Sequence, residues 1–403
     1  MLILTDPTTL SHKTVELLGS RLMPALESPE RITIILAALE QTQHSVRQLN
    51  IEEHPEAVGE GSLLLDLLSN SHDSDYLHHL KTAHAAWIEQ GLLEPTDTIL
   101  PECFPSHRLS RNRTIAARLA EPPKDIFARA GFYAFDMSAG ICKDTWKAAL
   151  ASANLAVEAA RFAAGHEASS NGAVGVVGVG DDHAAAPTSS SLTAFALCRP
   201  PGHHCTTSMA GGYCYINNAV IAVLAMQRLH KRRSAAASPN IAILDIDFHH
   251  GNGTQEYFYS DPSVLYVSIH GQDEYPYFTG HVDEKGEGKG EGFNLNLPLP
   301  AGSTAEAYLE LLETALRRVE EYRPEYLVVS MGFDTFHLDV LGSFKLESDD
   351  YFRIARKITA SKIIARLPCV ILLEGGYALE QLGENFCQFL TGWESNRPVG
   401  SGN

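Results

Sequence analysis

The sequence predicts an α/β fold, a single domain over residues 1–403 with a mostly parallel central sheet and helices on both faces. Three observations predict it. The runs Leu192 to Leu197, Ile241 to Ile246, Val264 to His270, Leu327 to Met331 and Val370 to Leu373 are almost wholly apolar, as strands covered on both faces must be. Helical periodicity fills the intervals at Ala148 to Phe162, Asn217 to His230, Ala305 to Glu321 and Ser348 to Ala365, and strand–helix alternation builds parallel sheets. Polar residues also gather directly after the apolar runs, where sheets of this kind carry their chemistry.

The stretch before Ala130 shows no clear elements and no linker. Gly165 to Ser191 is Gly/Ala/Ser-rich and reads as a low-complexity surface insertion. Its Gly175 to Gly180 portion lacks the lysine of a phosphate-binding loop.

Composition narrows the function classes. With 44% hydrophobic and 20% charged residues, the chain is ordinary globular material, large enough to bury a core without covalent staples. No apolar run reaches the roughly 18 residues that span a bilayer. Met1 to Leu10 is too short a run, broken at Asp6-Pro7, for a secretory signal. Seven cysteines without CxxC spacing read as reduced thiols, which points to the cytoplasm and leaves a nuclear location open. The 49 acidic against 31 basic residues give a net charge of -18, a surface that repels nucleic acid and attracts cations. Lys231-Arg232-Arg233 reads as a solvated helix end.

The strongest chemical signal is Asp245-Ile246-Asp247-Phe248-His249-His250. Alternate residues of a strand share a face, so Asp245, Asp247 and His249 project together where the strand gives way to its loop. Buried carboxylates need a counter-charge, and a divalent cation supplies one. Alone, the pattern also fits a hydrogen-bonded polar turn. Gly332-Phe333-Asp334 adds a third carboxylate after another strand, and Asp247, His249 and Asp334 make the nitrogen and oxygen donor set of a catalytic zinc with an open position. His203 and His204, after Pro200-Pro201-Gly202, are candidates for proton transfer. Tyr377, after Gly375-Gly376, is placed to donate to a developing oxyanion.

These blocks, with Arg199 to His204, Gly211 to Asn218 and Asp245 to Gln255, resemble the signatures of the histone deacetylase superfamily from about Ala130 to Leu382. Gly131 to Asp136, Tyr275 to His281 and Gly332 to Phe336 look most like its acetylpolyamine amidohydrolase branch. The resemblance implies an arginase/deacetylase-like fold and a zinc-dependent hydrolase of linear amides. Asp247, His249 and Asp334 would bind zinc, and Tyr377 would polarise the carbonyl. Asp245 would orient His203, and Asn252 would orient His204. Some members carry Asp where this chain has Asn252, and an amide orients His204 without stabilising its cation, which favours His204 as the proton shuttle with a near-neutral pKa. Tyr213, Tyr275 and Asp136 match the substrate tunnel. A potassium site is implied at Asp245, Asp247, His249, Ser268 and Ile269. Two departures stand out: Asp339-Val340 where the family has Asp-Pro, and Ser28-Pro29-Glu30-Arg31 in place of a longer early motif.

The expected substrate is a small cationic acetyl-amine, an acetylpolyamine before an acetyl-lysine peptide, with no nucleic-acid or membrane partner and with a homo-oligomer left open. Glu102, Glu121, Asp125 and Asp136 lie in the region that could line the tunnel mouth. Two rivals are weaker. An arginase-type dimetal hydrolase needs a carboxylate where Phe336 stands, and a non-catalytic acetyl-amine binding module would have lost a ligand or the tyrosine.

Overall fold

The computed structural model describes residues 1–106, 108, 112–166, 176–177, 192–233 and 238–396. Its strands are β1 Leu2–Thr5, β2 Val15–Leu18, β3 Arg21–Pro24, β4 Ser45–Gln48, β5 Val176–Val177, β6 Thr193–Ala196, β7 Ile241–Asp245, β8 Val264–Gly271, β9 Asn294–Leu299, β10 Tyr326–Met331 and β11 Cys369–Leu373. Its α-helices are α1 Glu30–Leu39, α2 Leu63–Ser71, α3 Ser74–Glu89, α4 Arg113–Leu119, α5 Ile126–Phe132, α6 Thr145–Ala163, α7 Asn218–Arg233, α8 Asn252–Phe258, α9 Ala305–Tyr322, α10 Ser348–Ala360 and α11 Leu379–Glu394.

One sheet gathers nine of these strands in the order β5-β4-β1-β6-β11-β10-β7-β8-β9. Every pairing is parallel except that of β5 with β4. The alternation of a strand splits its side chains between two cores. Val328, Val370, Leu372, Ile241 and Ile243 join α2, α3, α6 and α7 in one. Leu327, Val329, Ile371, Leu373 and Phe195 join α1, α9, α10 and α11 in the other. Both faces are covered by helices, which is why the sequence runs are apolar throughout rather than alternating.

Two differences from the sequence reading have physical reasons. The opening residues form β1, a central strand between β4 and β6, where the expectation found no element. At four residues, LILT is too short to announce itself by periodicity. The helix expected over Ser348 to Ala365 ends at Ala360. There Ser361 turns extended, accepts from the Ile364 amide at 3.2 Å and donates to Glu320, a side-chain competition that serine wins at helix ends. Most of the Gly165 to Ser191 insertion lies outside the described residues.

Phe195 is fully buried on β6, with its ring 4.8 Å from that of Phe386 on α11. Phe195→Ala should lower unfolding free energy by about 3–5 kcal/mol. Equilibrium denaturation measures it, and a loss below about 1 kcal/mol would mean that α11 does not depend on this contact.

Candidate active site

Strands β6, β11, β10 and β7 are consecutive neighbours, so the loops leaving their carboxyl ends meet above one stretch of sheet. These loops carry His203-His204, Glu374 to Tyr377, Gly332 to Asp334, and Asp247 to His249, respectively. Four segments scattered over the sequence thereby become one site.

Asp247, His249 and Asp334 offer ligand atoms that all lie within 4.8 Å of one another. His249 Nδ1 stands 3.3 Å from Asp247 Oδ1 and 3.0 Å from Asp334 Oδ2. The other carboxylate oxygens are tied to backbone: Gly375 N donates to Asp247 Oδ2 at 2.7 Å, and Phe248 N to Asp334 Oδ1 at 2.9 Å. Each acid is therefore aimed: one oxygen is held from outside, and the other faces His249, whose amide also donates to Asp247 Oδ1 at 2.8 Å. A Cβ on Gly332 or Gly375 would overlap these same carboxylates, so both glycines are clearances for the acids. Burial and the Asp247 charge push Asp334 upward, while His203 and His249 outweigh burial and hold Asp247 below the usual carboxylate range. Two buried acids competing in this way fit a divalent cation, and three nitrogen and oxygen donors fit zinc with a coordination position left over.

The tandem histidines differ in charge. His203 Nδ1 lies 3.2 Å from Asp245 Oδ2; burial opposes its cation, but Asp247, Asp245 and Glu374 raise it to about 10. His204 Nδ1 meets Asn252 Oδ1 at 2.8 Å, and burial with the positive His203 beside it pushes it well below its ordinary value. It sits lower than the near-neutral expectation, because burial outweighs the hydrogen bond to Asn252, which acts upward.

Tyr377 is buried, its ring centroid 5.7 Å from that of Tyr213, and among the described residues its hydroxyl has no hydrogen-bond partner. Its loop is fixed from below. Asp339 Oδ2 accepts from the Tyr377 and Ala378 amides at 2.6 and 3.0 Å. Arg31 donates to the carbonyls of Glu374 and Gly376 and pairs with Glu27 at 2.9 Å, which also lies 3.0 Å from Arg199 of the histidine segment. The two apparent departures, Asp339-Val340 and Ser28 to Arg31, thus keep the residues that hold the loop. Glu374 accepts from the Gly202 and His203 amides and from Ser330. Sequence reasoning gave no role to Glu16, Glu27, Arg31, Asp339 or Glu374; the i,i+4 spacing of Glu27 and Arg31 was a signal for their pairing, while the remaining contacts run to backbone groups or distant partners.

Tyr275 packs edge-on against His204 at 4.9 Å and lies 5.8 Å from His249. Asp136 is not free at a rim: it accepts from Tyr275 Oη at 2.5 Å, Gly212 N at 2.9 Å and Ser138 N at 2.9 Å. Asp125 spends its carboxylate capping α5, and Glu102 and Glu121 are exposed. Asp245 and Ser268 are register partners on β7 and β8, with Ile269 next on β8. Phe336 is buried in the core, and the described residues hold no second group of three metal-binding side chains.

A profile of the histone deacetylase domain matches residues 25–393. The chain belongs to the histone deacetylase family. Within that family it is 37% identical over 396 residues to acetylpolyamine amidohydrolase 1 of Pseudomonas aeruginosa, covering 97% of this chain and 98% of the relative. It is 34% identical to the acetylpolyamine amidohydrolase of Mycoplana ramosa over 97% of this chain and 98% of that one. The crystal structure of acetylpolyamine aminohydrolase from Burkholderia pseudomallei superposes with a TM-score of 0.77 at 31% identity, covering 98% and 99% of the two chains. This histone deacetylase family member is accordingly an amide hydrolase by kinship, and among the described residues no helix is long and apolar enough to cross a membrane.

Gly375→Ala should weaken divalent metal binding by about tenfold or more while leaving the far-ultraviolet circular dichroism intact. Isothermal titration with zinc checks it. Wild-type affinity would show that the carboxylates do not need this clearance.

Proposed function

We propose that the protein hydrolyses the N-acetyl amide of a small cationic amine, an acetylpolyamine in preference to an acetyl-lysine peptide, at a zinc held by Asp247, His249 and Asp334. The observation that carries this reading is the convergence of that donor set with a neutral His204 and an unengaged Tyr377 hydroxyl in one buried site. When bound, zinc supplies Lewis-acid polarisation of a carbonyl and lowers the pKa of water toward about 7.

The side chains divide the remaining work. His204, low in basicity and oriented by Asn252, takes a proton from the attacking water and returns it to the leaving amine. His203 stays protonated beside Asp245 and adds fixed positive charge. Tyr377 donates its hydroxyl to the oxyanion, from a loop that Asp339 and Arg31 make rigid. Tyr213 and Tyr275 flank the acyl-amine chain. A potassium ion at Asp245, Asp247, His249, Ser268 and Ile269 is part of this proposal, supported by the β7–β8 register.

The full-length relatives named for acetylpolyamines favour the small substrate. An acetyl-lysine peptide is the second reading, favoured by the exposed Tyr277, Phe278, Leu338 and Val340 beside the tyrosine and Asp339 loops, more apolar surface than a slim amine needs.

Two measurements test the proposal. Tyr377→Phe keeps the ring and removes the donor, so turnover should fall roughly 10²–10³-fold, about 2.7–4 kcal/mol. A loss below about threefold would mean the hydroxyl is not aimed at the reacting carbonyl. In a substrate panel, kcat/KM for N-acetylputrescine should exceed that for an acetyl-lysine peptide by about tenfold. Equal or better rates on the peptide would reverse the preference.

A further inference from the structure

The ladder between β6 and β11 ends at the pair Ala196 and Leu372. Beyond it the two segments part, one running on to His203 and His204, the other to Glu374 and Tyr377. Backbone pairing no longer sets the distance between them. Among the described residues, the only direct hydrogen-bonding link between the turns Arg199 to His204 and Glu374 to Tyr377 is the Glu374 carboxylate. Its Oε2 accepts from Gly202 N at 2.8 Å and from His203 N at 3.2 Å, and its Oε1 accepts from Ser330 Oγ of β10 at 3.0 Å. Both Glu374 and Ser330 are fully buried, so water does not compete for these contacts.

The histidine turn is held through its carbonyl as well. His203 O accepts from Gly253 N and Thr254 N of α8 at 3.1 Å each, and Asn252 of the same helix meets His204 Nδ1. A Cβ on Gly202 would lie 2.4 Å from Asn218 N, so the turn has no slack on that flank. Helix α8 therefore fixes the histidines relative to β7, and Glu374 fixes them relative to β10 and β11. The anchor is itself immobile, since Glu374 N donates to Met331 O at 2.9 Å and Arg31 donates to the Glu374 carbonyl. His204 and the Tyr377 hydroxyl must reach one reacting amide together, and a misplacement of about 1 Å costs on the order of 10²-fold in rate.

We propose that Glu374 is a positioning residue that sets the spacing between His204 and the Tyr377 hydroxyl, by its reach rather than by its charge. The proposal rests on the deacetylase reading above.

The test follows acetate release from N-acetylputrescine by the zinc-loaded enzyme. Glu374→Asp keeps the charge but draws the carboxylate back by one methylene, away from Gly202 N. It should lower kcat roughly 10²-fold with KM within about threefold of wild type, the pattern of an interaction made only in the transition state. Glu374→Gln keeps the reach, its oxygen accepting from the two amides and its nitrogen donating to the Ser330 hydroxyl. It should recover about tenfold or more of that loss. In a Tyr377→Phe background the spacing no longer matters, so Glu374→Asp should cost less than about tenfold there. A general weakening of the fold would cost the same in both backgrounds. If Glu374→Asp does not fold, Ser330→Ala, which frees Oε1 alone, decides by the same comparison: about fivefold with Tyr377 present and below about twofold with Tyr377→Phe. Full activity of Glu374→Asp overturns the proposal. So does Glu374→Gln as poor as Glu374→Asp, which would assign the effect to charge, or a cost undiminished by Tyr377→Phe, which would make the acid a structural prop. Wild-type enzyme that releases no acetate would instead defeat the deacetylase reading.

Discussion

Two carboxylates buried beside one imidazole, at the ends of neighbouring parallel strands, are the constraint around which this protein is arranged. Asp247 and Asp334 are wholly buried, and their mutual repulsion in a low-dielectric interior has to be met. The protein meets part of it with backbone amides from Gly375 and Phe248, which hold one oxygen of each acid. The other oxygens face His249 Nδ1, an arrangement that a divalent cation completes. The glycines at 332 and 375 follow from the same demand, since any side chain there would occupy the carboxylates' space.

Holding such a centre requires support that does not itself titrate or shift. The N-terminal segment provides it. Arg31 reaches the carbonyls of the tyrosine loop, Arg199 reaches the carbonyls of Thr9 and His12, and Glu27 lies between the two guanidiniums. This buried cluster ties the histidine turn to the tyrosine turn, with Gly202 and Glu374 standing 172 residues apart in the chain. Its worth lies in specifying geometry, since buried ion pairs seldom add much net stability but cost heavily when one partner is removed.

Much of this was legible in the sequence. The five apolar runs appear within a residue of the expected bounds, because strands buried on both faces have no alternation to obscure, while the helix ends differ by up to five residues. The proposed ligands Asp247, His249 and Asp334, and Tyr377, stood out in the sequence because each lies just beyond such a run. The rest was hidden for identifiable reasons. β1 is four residues long, and its role depends on β4 and β6, which pair with it from far along the chain. Asp136 resembled a solvent-facing rim residue, yet its three donors come from residues 138, 212 and 275, a convergence no local pattern encodes. Glu27 and Arg31 pair at i,i+4, but their other partners, Arg199 and the carbonyls of Glu374 and Gly376, and the Tyr213 partner of Glu16, lie too far along the chain for spacing to reveal.

The most direct test of the account is metal-dependent acetate release. Purified protein should contain one zinc per chain, and chelation should abolish acetate release from N-acetylputrescine without unfolding the protein. Adding back stoichiometric zinc should restore it. Undiminished acetate release from metal-free, folded protein would contradict the account at its centre.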